Sequence, residues 1–516
     1  MKHKKNLWSV IKIIGLIAVV ILCYGLIGYR AVHINEQQTK TVAQLMEETD
    51  SDQVTVHPQG VLVNALPPIL DPHVTEMSDG SQVYSCSVIA VGDNLYHQAV
   101  INSGIKEDGS ADYKEIYEFI KPTVQAADLA ICDQETILTE NINEASGYPR
   151  FATPVQAADA LVDTGFDVVY SATNHADDYG EEGVLNTIRY WKDNYPEITL
   201  LGIHDSPEDA DTIKIREVNG IRFAFLDYTY GTNSAGFEGD RSYLLDVFSD
   251  GSTKISQMIS KAKSEADCVI FIGHWGEEGE PMPTEFEKEW VTFLMHQGVD
   301  VCIGGHPHNL QPYTWIYDDS GHRMLVFYSL GNFVSNMDHL LEVLEGMGCF
   351  TVQKTVDPDG SSSITVTDAA VRPLIMHYDP TRTYFRVYLL EDYTPELASQ
   401  HGINRLDSSF SLDRLYRKFD EIMFIQVEPS TDTLLLNVKQ LWDGTLLDPE
   451  GNTVTKPVSL SEFDYYNRLG IDIRDTSAEY DYKAAIDAAA EAEAATEAEA
   501  GTESTTEEAA GTTQDS

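Results

Sequence analysis

The sequence has 516 residues, with 34 lysines and arginines against 83 aspartates and glutamates, a formal net charge of −49. That balance argues against nucleic-acid binding through a basic surface. Six cysteines with no Cys-x-x-Cys pair argue against a disulfide scaffold and a cysteine-held zinc site, and read as small buried residues.

Residues 1–32 read as a basic flank and an anchor. Lys2, Lys4 and Lys5 precede an apolar run from Leu7 to Tyr29, in which Lys12 is the only charge. That length suits a membrane span better than the shorter apolar core of a signal peptide. The basic flank predicts a cytoplasmic N-terminus and an extracytoplasmic remainder on the cell membrane. A cleaved signal peptide is the alternative, but no small-x-small site follows the run. Cys23 stands where a lipidation cysteine would, though Leu22 is large for that role. Residues 33–82 are polar with scattered prolines and read as an extracytoplasmic stalk.

Over residues 83–380 strand and helix signals alternate, the pattern of an α/β domain. The strands are "YSCSVIAV", "ADLAIC", "DVVYSA", "ITLLGI", "RFAFLDYTY", "DCVIFIG", "VDVCIGG" and "MLVFYSL". Several are continuous apolar runs, as in a sheet covered on both faces. In "TPVQAADALVDTG", Thr153 is the expected N-cap, Pro154 the first helical residue and Gly165 the stop. "TEFEKEWVTFLMHQG" opens on a capping box, Thr284 with Glu287, and closes at Gly298. Residues 381–482 read as a small accessory region, with helices up to Met423 and short strands at "FIQVEP" and "TLLLNV". Residues 483–516 form an acidic, Ala/Glu-rich tail with the composition of disorder.

The strands share a property that composition does not explain. They end at Asp93, at Asp133 and Glu135, at Asn174 and His175, at His274, at His306 and His308, and at Asn332. Ligands of α/β sheets bind at the carboxyl ends of strands. An extended His-x-His places both imidazoles on one side, so His306 and His308 are either a polar loop or a metal pair. The mixed oxygen and nitrogen set suits manganese, zinc or iron, and is large enough for one or two divalent ions. Asn174 and His175 are adjacent and point apart, so one can bind metal while the other serves as an acid. Trp275 is a substrate platform or a core anchor. His204, His296, His322 and His339 have no partner motif, and solvated or capping roles are expected.

The segments "VGD", "SATNHADDYGEEGVLNTI", "GHWGEE", "GGHPHNLQP" and "YSLGNF" resemble the CapA family, of poly-γ-glutamate capsule biosynthesis, within the calcineurin-like metallophosphoesterases. The resemblance covers roughly Ser85 to Val334. It implies a four-layer α/β/β/α sandwich and a membrane-anchored, outward-facing chain. It implies that Asp93 binds a first metal, that Glu135 bridges, that Asn174, His274 and His306 hold a second, and that His308 returns to the first. His175 matches the catalytic histidine, Asp178 its orienting partner, Glu278 the acid of the "HWGxE" motif and Asn332 the asparagine of "LGNF", here with a substrate role. Two positions depart from the pattern. Leu95 stands where the wider group has the histidine of Asp-x-His, and Asp133 stands where the family has asparagine. His97 is either a loop histidine or a substituted ligand.

The reading is a CapA-type protein acting on an anionic surface polymer, by metal-dependent hydrolysis or transfer. Its expected partners are the membrane, the polymer and membrane synthase or export subunits. A non-catalytic polymer-binding subunit and a surface phosphodiesterase or nucleotidase are the alternatives.

Overall fold

The structure, a computed structural model, describes residues 74–454 apart from 319, 433–434, 441–444, 448–450 and 452. The expected anchor, most of the stalk and the acidic tail lie outside these residues. Among the described residues no helix is long and apolar enough to cross a membrane.

Two sheets form the frame. The chain first lays down β1 (Gln82–Val91), β2 (Leu129–Asp133), β3 (Val168–Tyr170) and β4 (Thr199–Leu201), all mutually parallel. It then builds a second sheet from β5 (Lys214–Val218), β6 (Ile221–Thr229), β7 (Cys268–His274), β8 (Val301–Gly305), β9 (Tyr313–Tyr317) and β10 (Arg323–Phe327). The order there is β9-β10-β8-β7-β6-β5, parallel from β10 through β6 and antiparallel at both edges. The chain returns to the first sheet with β11 (Leu344–Val356), β12 (Ser362–Tyr378) and β13 (Phe385–Leu389), giving the order β13-β12-β11-β1-β2-β3-β4.

Alternation along the strands sorts the side chains into layers. Val88, Ala90, Ile131 and Val168 of the first sheet meet Phe223, Phe225, Ile270, Ile272 and Ile303 of the second in one core. The opposite face of the second sheet, with Ala224, Leu226, Phe271, Cys302 and Val326, packs on the helices Ser252–Glu265 and Glu285–Gln297 through Ile255, Ile259, Phe286, Trp290 and Leu294. Here α1 is Gln98–Gly104, α2 Gln156–Thr164, α3 Gly180–Asn194, α4 Ser252–Glu265, α5 Glu285–Gln297 and α6 Leu412–Met423. Helices α2 and α3 cover the outer face of the first sheet, with Ala158 and Trp191 against Val169. The layers therefore run helix, sheet, sheet, helix. Five cysteines, Cys86, Cys132, Cys268, Cys302 and Cys349, are buried and free, as their apolar contexts predict.

Several expectations change. Thr153 and Pro154 do not open α2; they pair with Leu138–Thr139, and the helix starts at Gln156. Gly165 does stop it, at φ 113. The capping box of Thr284 and Glu287 forms as the sequence implies. The stalk does not run to residue 82, since Val74–Glu76 already pairs with β1. The boundary at 380 also falls inside the sheet, because Phe385–Leu389 is an edge strand zipped onto β12. "FIQVEP" forms no strand, nor do the described residues of "TLLLNV". Instead Val427, Leu435, Leu436 and Val438 bury their apolar side chains against the helices of the second sheet. His339 takes the capping role expected of it, whereas His204 is buried at 3% exposure between Asp246 and Asp209.

Candidate metal centre

The parallel strands of both sheets deliver their polar ends to one place. Asp93 follows β1 and is held by the pairing of Asp93–Asn94 with Asn332–Val334. Glu135 follows β2, Asn174 and His175 follow β3, His274 ends β7, and His306 and His308 follow β8. β7 and β8 are in register so that His274 lies beside Gly305. Gly305 is required there, since a Cβ would come within 2.6 Å of Asp93 Oδ1.

The His-x-His segment is not extended. His306 and His308 have φ of 94° and 57°, a region that side-chain-bearing residues rarely adopt. Such backbone persists where its surroundings over-determine it, commonly at functional sites. Here Asp93 accepts the His306 backbone N–H at 3.1 Å, and its Oδ2 also lies 3.1 Å from His308 Nδ1.

The side chains form three overlapping groups. Glu135 Oε1 lies 3.9 Å from both His308 Nε2 and His274 Nε2, between the two halves of the cluster. His274 Nε2 lies 2.8 Å from Asn174 Oδ1, and the rings of His274 and His306 are centred 4.9 Å apart. Ligand atoms of Asp93, Glu135 and His308 gather within 4.8 Å of one another, as do those of Glu278, His306 and His308, with Glu278 on the exposed side. A third such group joins Asp93, Asp133 and His274.

The residues fit a divalent ion. Both carboxylate oxygens of Asp133 and of Glu135, and Nδ1 of His274 and of His306, are buried without a hydrogen-bond partner. Buried acids left unpaired are costly, and a cation offsets that cost. Burial, then the charges of Asp93 and Glu278, push the Glu135 carboxyl up to about 8 against the opposing pull of His308. Burial and the neighbouring Asp93 and Glu135 raise Asp133 well above the usual range. Burial and adjacent histidines hold His274 and His306 well below the usual imidazole range, in the neutral form that binds metal. His308 goes the other way: burial opposes its charge, but Glu135 and Asp93 pull it up to about 10.

His175 stands apart from these groups. Its Nδ1 lies 2.8 Å from Asp178 Oδ2, and that oxygen also accepts the Phe151 backbone N–H at 2.6 Å. Arg150 donates from Nε to the Asp178 carbonyl at 2.8 Å. The Phe151 ring packs edge-on to His175 at 4.6 Å. Asn233 faces both neighbours, at 3.4 Å from His175 Nε2 and 3.3 Å from the Asn174 amide. Burial disfavours charge on His175, but the Asp178 bond and charge, then Glu135 and Glu278, raise its pKa.

Two assignments are corrected. Trp275 is fully buried, donates from Nε1 to the Tyr328 carbonyl at 3.1 Å and stacks on Phe248 at 5.6 Å, so it is a core anchor and no substrate platform. Asn332 is also fully buried; its amide donates to the carbonyls of His308 and Glu342 at 3.2 and 3.0 Å, bracing the ligand loop from behind rather than facing substrate.

Other residues were not assigned roles from sequence. Asp133 was visible at a strand end, yet its place in the cluster was not. Arg150, Phe151 and Asn233 reach the site from connecting segments, and their positions carry no motif.

A two-sheet α/β sandwich with a mixed oxygen and nitrogen cluster at its strand ends defines a domain with a candidate metal centre. Residues 87–337 match the family model described as "Bacterial capsule synthesis protein PGA_cap". The chain is 31% identical over 260 residues to the PGA biosynthesis protein CapA of Bacillus subtilis, covering 49% of this chain and 65% of that protein. It is 30% identical over 200 residues to the capsule biosynthesis protein CapA of Bacillus anthracis, covering 38% and 46%. The chain thus spans less than two thirds of either relative. Among solved structures, the NAD nucleotidase of Haemophilus influenzae is similar at 12% identity and a TM-score of 0.33, covering 66% of this chain and 67% of that one.

Proposed function

We propose that this chain is a membrane-anchored, extracytoplasmic protein that makes, exports, anchors or trims an anionic surface polymer such as poly-γ-glutamate, by metal-dependent hydrolysis or transfer. The observation that carries the reading is the pairing of a buried ligand cluster with a separate, clamped histidine. Asp93, Glu135 and His308 would hold one ion; Glu135, Asn174, His274 and His306 would hold another, with Glu278 on the open side. A bound manganese, zinc or iron ion would supply Lewis acidity and a nucleophilic hydroxide. The names of the two Bacillus relatives support the polymer.

The chain's own part in the chemistry centres on His175. Asp178 keeps the proton on Nδ1, so Nε2 is the atom that gives its proton to the leaving group. The Asn233 amide, 3.4 Å from Nε2, can then donate to the nitrogen left bare. Phe151 and Arg150 hold Asp178 from the far side, so the acid keeps its orientation whether or not metal is bound.

A non-catalytic polymer-binding subunit of a membrane synthase is the second reading. It is favoured by the first ion's single imidazole, His308, with Leu95 filling the other position. One experiment separates the two. The purified full chain should carry a divalent metal, and His274→Ala and His306→Ala should each lose it. His175→Gln should keep the metal, fail to release product from a phosphodiester or γ-glutamyl substrate, and fail to restore surface polymer in cells lacking the protein. Turnover lost by His175→Gln should amount to about a hundred- to ten-thousand-fold. Full complementation by His175→Gln, with no turnover by the wild type, selects the binding subunit. Turnover of the phosphodiester alone selects a surface phosphodiesterase.

A further inference from the structure

The candidate ligands come from both sheets, so their geometry depends on what fixes one sheet against the other beside them. Asn174 follows β3 of the first sheet, His274 ends β7 of the second, and Asn174 Oδ1 meets His274 Nε2 at 2.8 Å. A carboxylate of β6 ties the two sheets together just behind this pair.

Alternation along β6 sends Phe223, Phe225 and Asp227 to one face. The two phenylalanines lie in the core between the sheets. Asp227 stands where a third apolar side chain is expected, and it is buried at 2% exposure. Its Oδ2 crosses to the first sheet and accepts two backbone N–H groups, from Ala172 at 2.8 Å and from Ser171 at 3.1 Å. Ser171 is the first residue after β3, so the carboxylate holds the backbone that leads directly into Asn174 and His175. On its other side β6 is in register with β7, with Asp227 opposite Ile272 and Thr229 opposite His274. One side chain thus spans from the strand beside His274 to the segment that carries Asn174. That segment also donates from the Ser171 and Thr173 hydroxyls to the carbonyls of Gln134 and Glu135, so a shift in it is passed on to Glu135.

Packing alone does not account for this residue. Asp227 Oδ1 is buried without a hydrogen-bond partner. Burial pushes the carboxyl well above the usual range, against the pull of the Ala172 and Ser171 N–H groups. A half-satisfied buried carboxyl group is a cost that an apolar side chain would not carry. The chain also makes room for it. Gly202 has φ 81°, and a Cβ there would come within 2.2 Å of Asp227 Oδ2.

We propose that Asp227 is a positioning residue that sets the separation of Asn174 and His274 across the two sheets, and with it the geometry of the ion they hold. This rests on the metal reading above and adds the element that brings the two halves of the ligand set into register. Asp227 enters none of the groups of clustered ligand atoms, so it acts through the Ser171 and Ala172 backbone and not as a ligand.

The test titrates the full chain with cobalt(II), in competition with a chelator. The visible absorption of cobalt reports the number and geometry of its ligands. Asp227→Ala should bind cobalt about 10- to 100-fold more weakly, the usual effect of losing a group that orients metal ligands, and with a changed spectrum. Asp227→Asn, whose amide oxygen still accepts both N–H groups, should restore affinity and spectrum. Asp227→Glu keeps the charge on a longer arm and should change the spectrum by displacing Ser171 and Ala172. Ile259→Ala, in the core on the opposite face of the second sheet, should lower the urea midpoint and leave cobalt binding unchanged, which separates positioning from loss of stability. Folded Asp227→Ala or Asp227→Glu with wild-type affinity and spectrum overturns the proposal; if Asp227→Ala does not fold, Asp227→Glu carries the comparison. Asp227→Asn that loses cobalt binding makes the charge the determinant and overturns it, as does an equal loss in Ile259→Ala. A wild-type chain that takes up no cobalt overturns the metal reading first, and the role of Asp227 falls with it.

Discussion

Asp133 Oδ2 faces Nδ1 of His274 across 3.7 Å, on the side of the ring away from Asn174, which meets Nε2 at 2.8 Å. Asp133 also neighbours Asp93, and both Asp133 and His274 are fully buried. A carboxylate behind a metal-facing imidazole sets which nitrogen carries the proton and which way the ring points. The substitution of aspartate at this position is therefore placed to tighten one ligand. Asp133→Asn, of nearly the same shape, should weaken metal binding about 10- to 100-fold while leaving the far-ultraviolet spectrum unchanged. Competition with a chelator measures this, and equal affinity would make Asp133 a spectator.

Trp275 follows His274 of the candidate metal centre, but its side chain serves the core. Trp275→Ala should cost about 3–5 kcal/mol of stability, the usual penalty for emptying a large buried aromatic site. Urea unfolding measures the cost. Folded Trp275→Ala protein should still bind phosphate with metal present. A variant of normal stability that has lost anion binding would restore the platform reading.

His204 gives a pH dependence with a definite sign. Burial disfavours its charge, but Asp246 at 2.8 Å and Asp209 at 3.7 Å outweigh burial and raise its pKa to about 9. Asp227 also faces it, and Lys214 and Lys192 pair with Asp209. The unfolded histidine titrates near 6.5. Its contribution is thus complete below about pH 6.5 and is lost as pH rises through 9. Stability measured at pH 6 and pH 9.5 should fall more in the wild type than in His204→Gln, by on the order of 2–3 kcal/mol. Parallel losses in the two proteins would assign the pH dependence to other groups.

The proposed topology is open to a direct check. Protease added to intact cells should remove the domain that contains the metal centre, because the Lys2–Lys5 cluster should keep only the N-terminus inside. Cleavage seen only after lysis would reverse that orientation.

The parts of the fold legible in the sequence were those whose signal is local. Strand runs such as "DCVIFIG" and the stops at Gly165 and Gly298 depend on nearest neighbours, and they lie where the pattern puts them. The clustering of Asp93, Glu135, His274, His306 and His308 was legible because chemistry-bearing residues recur at strand ends, a regularity visible without coordinates. Thr153 and Pro154 misled because a distant segment, Leu138–Thr139, offers them a pairing partner that outweighs the capping pattern. Phe385–Leu389 looked like the start of another region because the turn signal Asp379-Pro380 reads equally as a boundary, whereas it closes a tight connection that lays this strand back on the 17-residue β12. The shapes of His306 and His308 were misread for a similar reason. Asp93, far away in sequence, draws their backbone out of the extended form.

The bond from Asp93 to His308 joins residues 215 positions apart. The earliest and latest residues of the proposed metal centre are therefore made at very different moments of synthesis. At ribosomal speeds of about 5–20 residues per second, on the order of ten or more seconds pass between them. Through that interval Asp93, Glu135 and Asn174 are present without the imidazoles that complete the site. A chain exported as it is made would acquire its ion only on the far side of the membrane, from whatever metal that compartment supplies. The identity of the bound ion would then be a record of where folding finished.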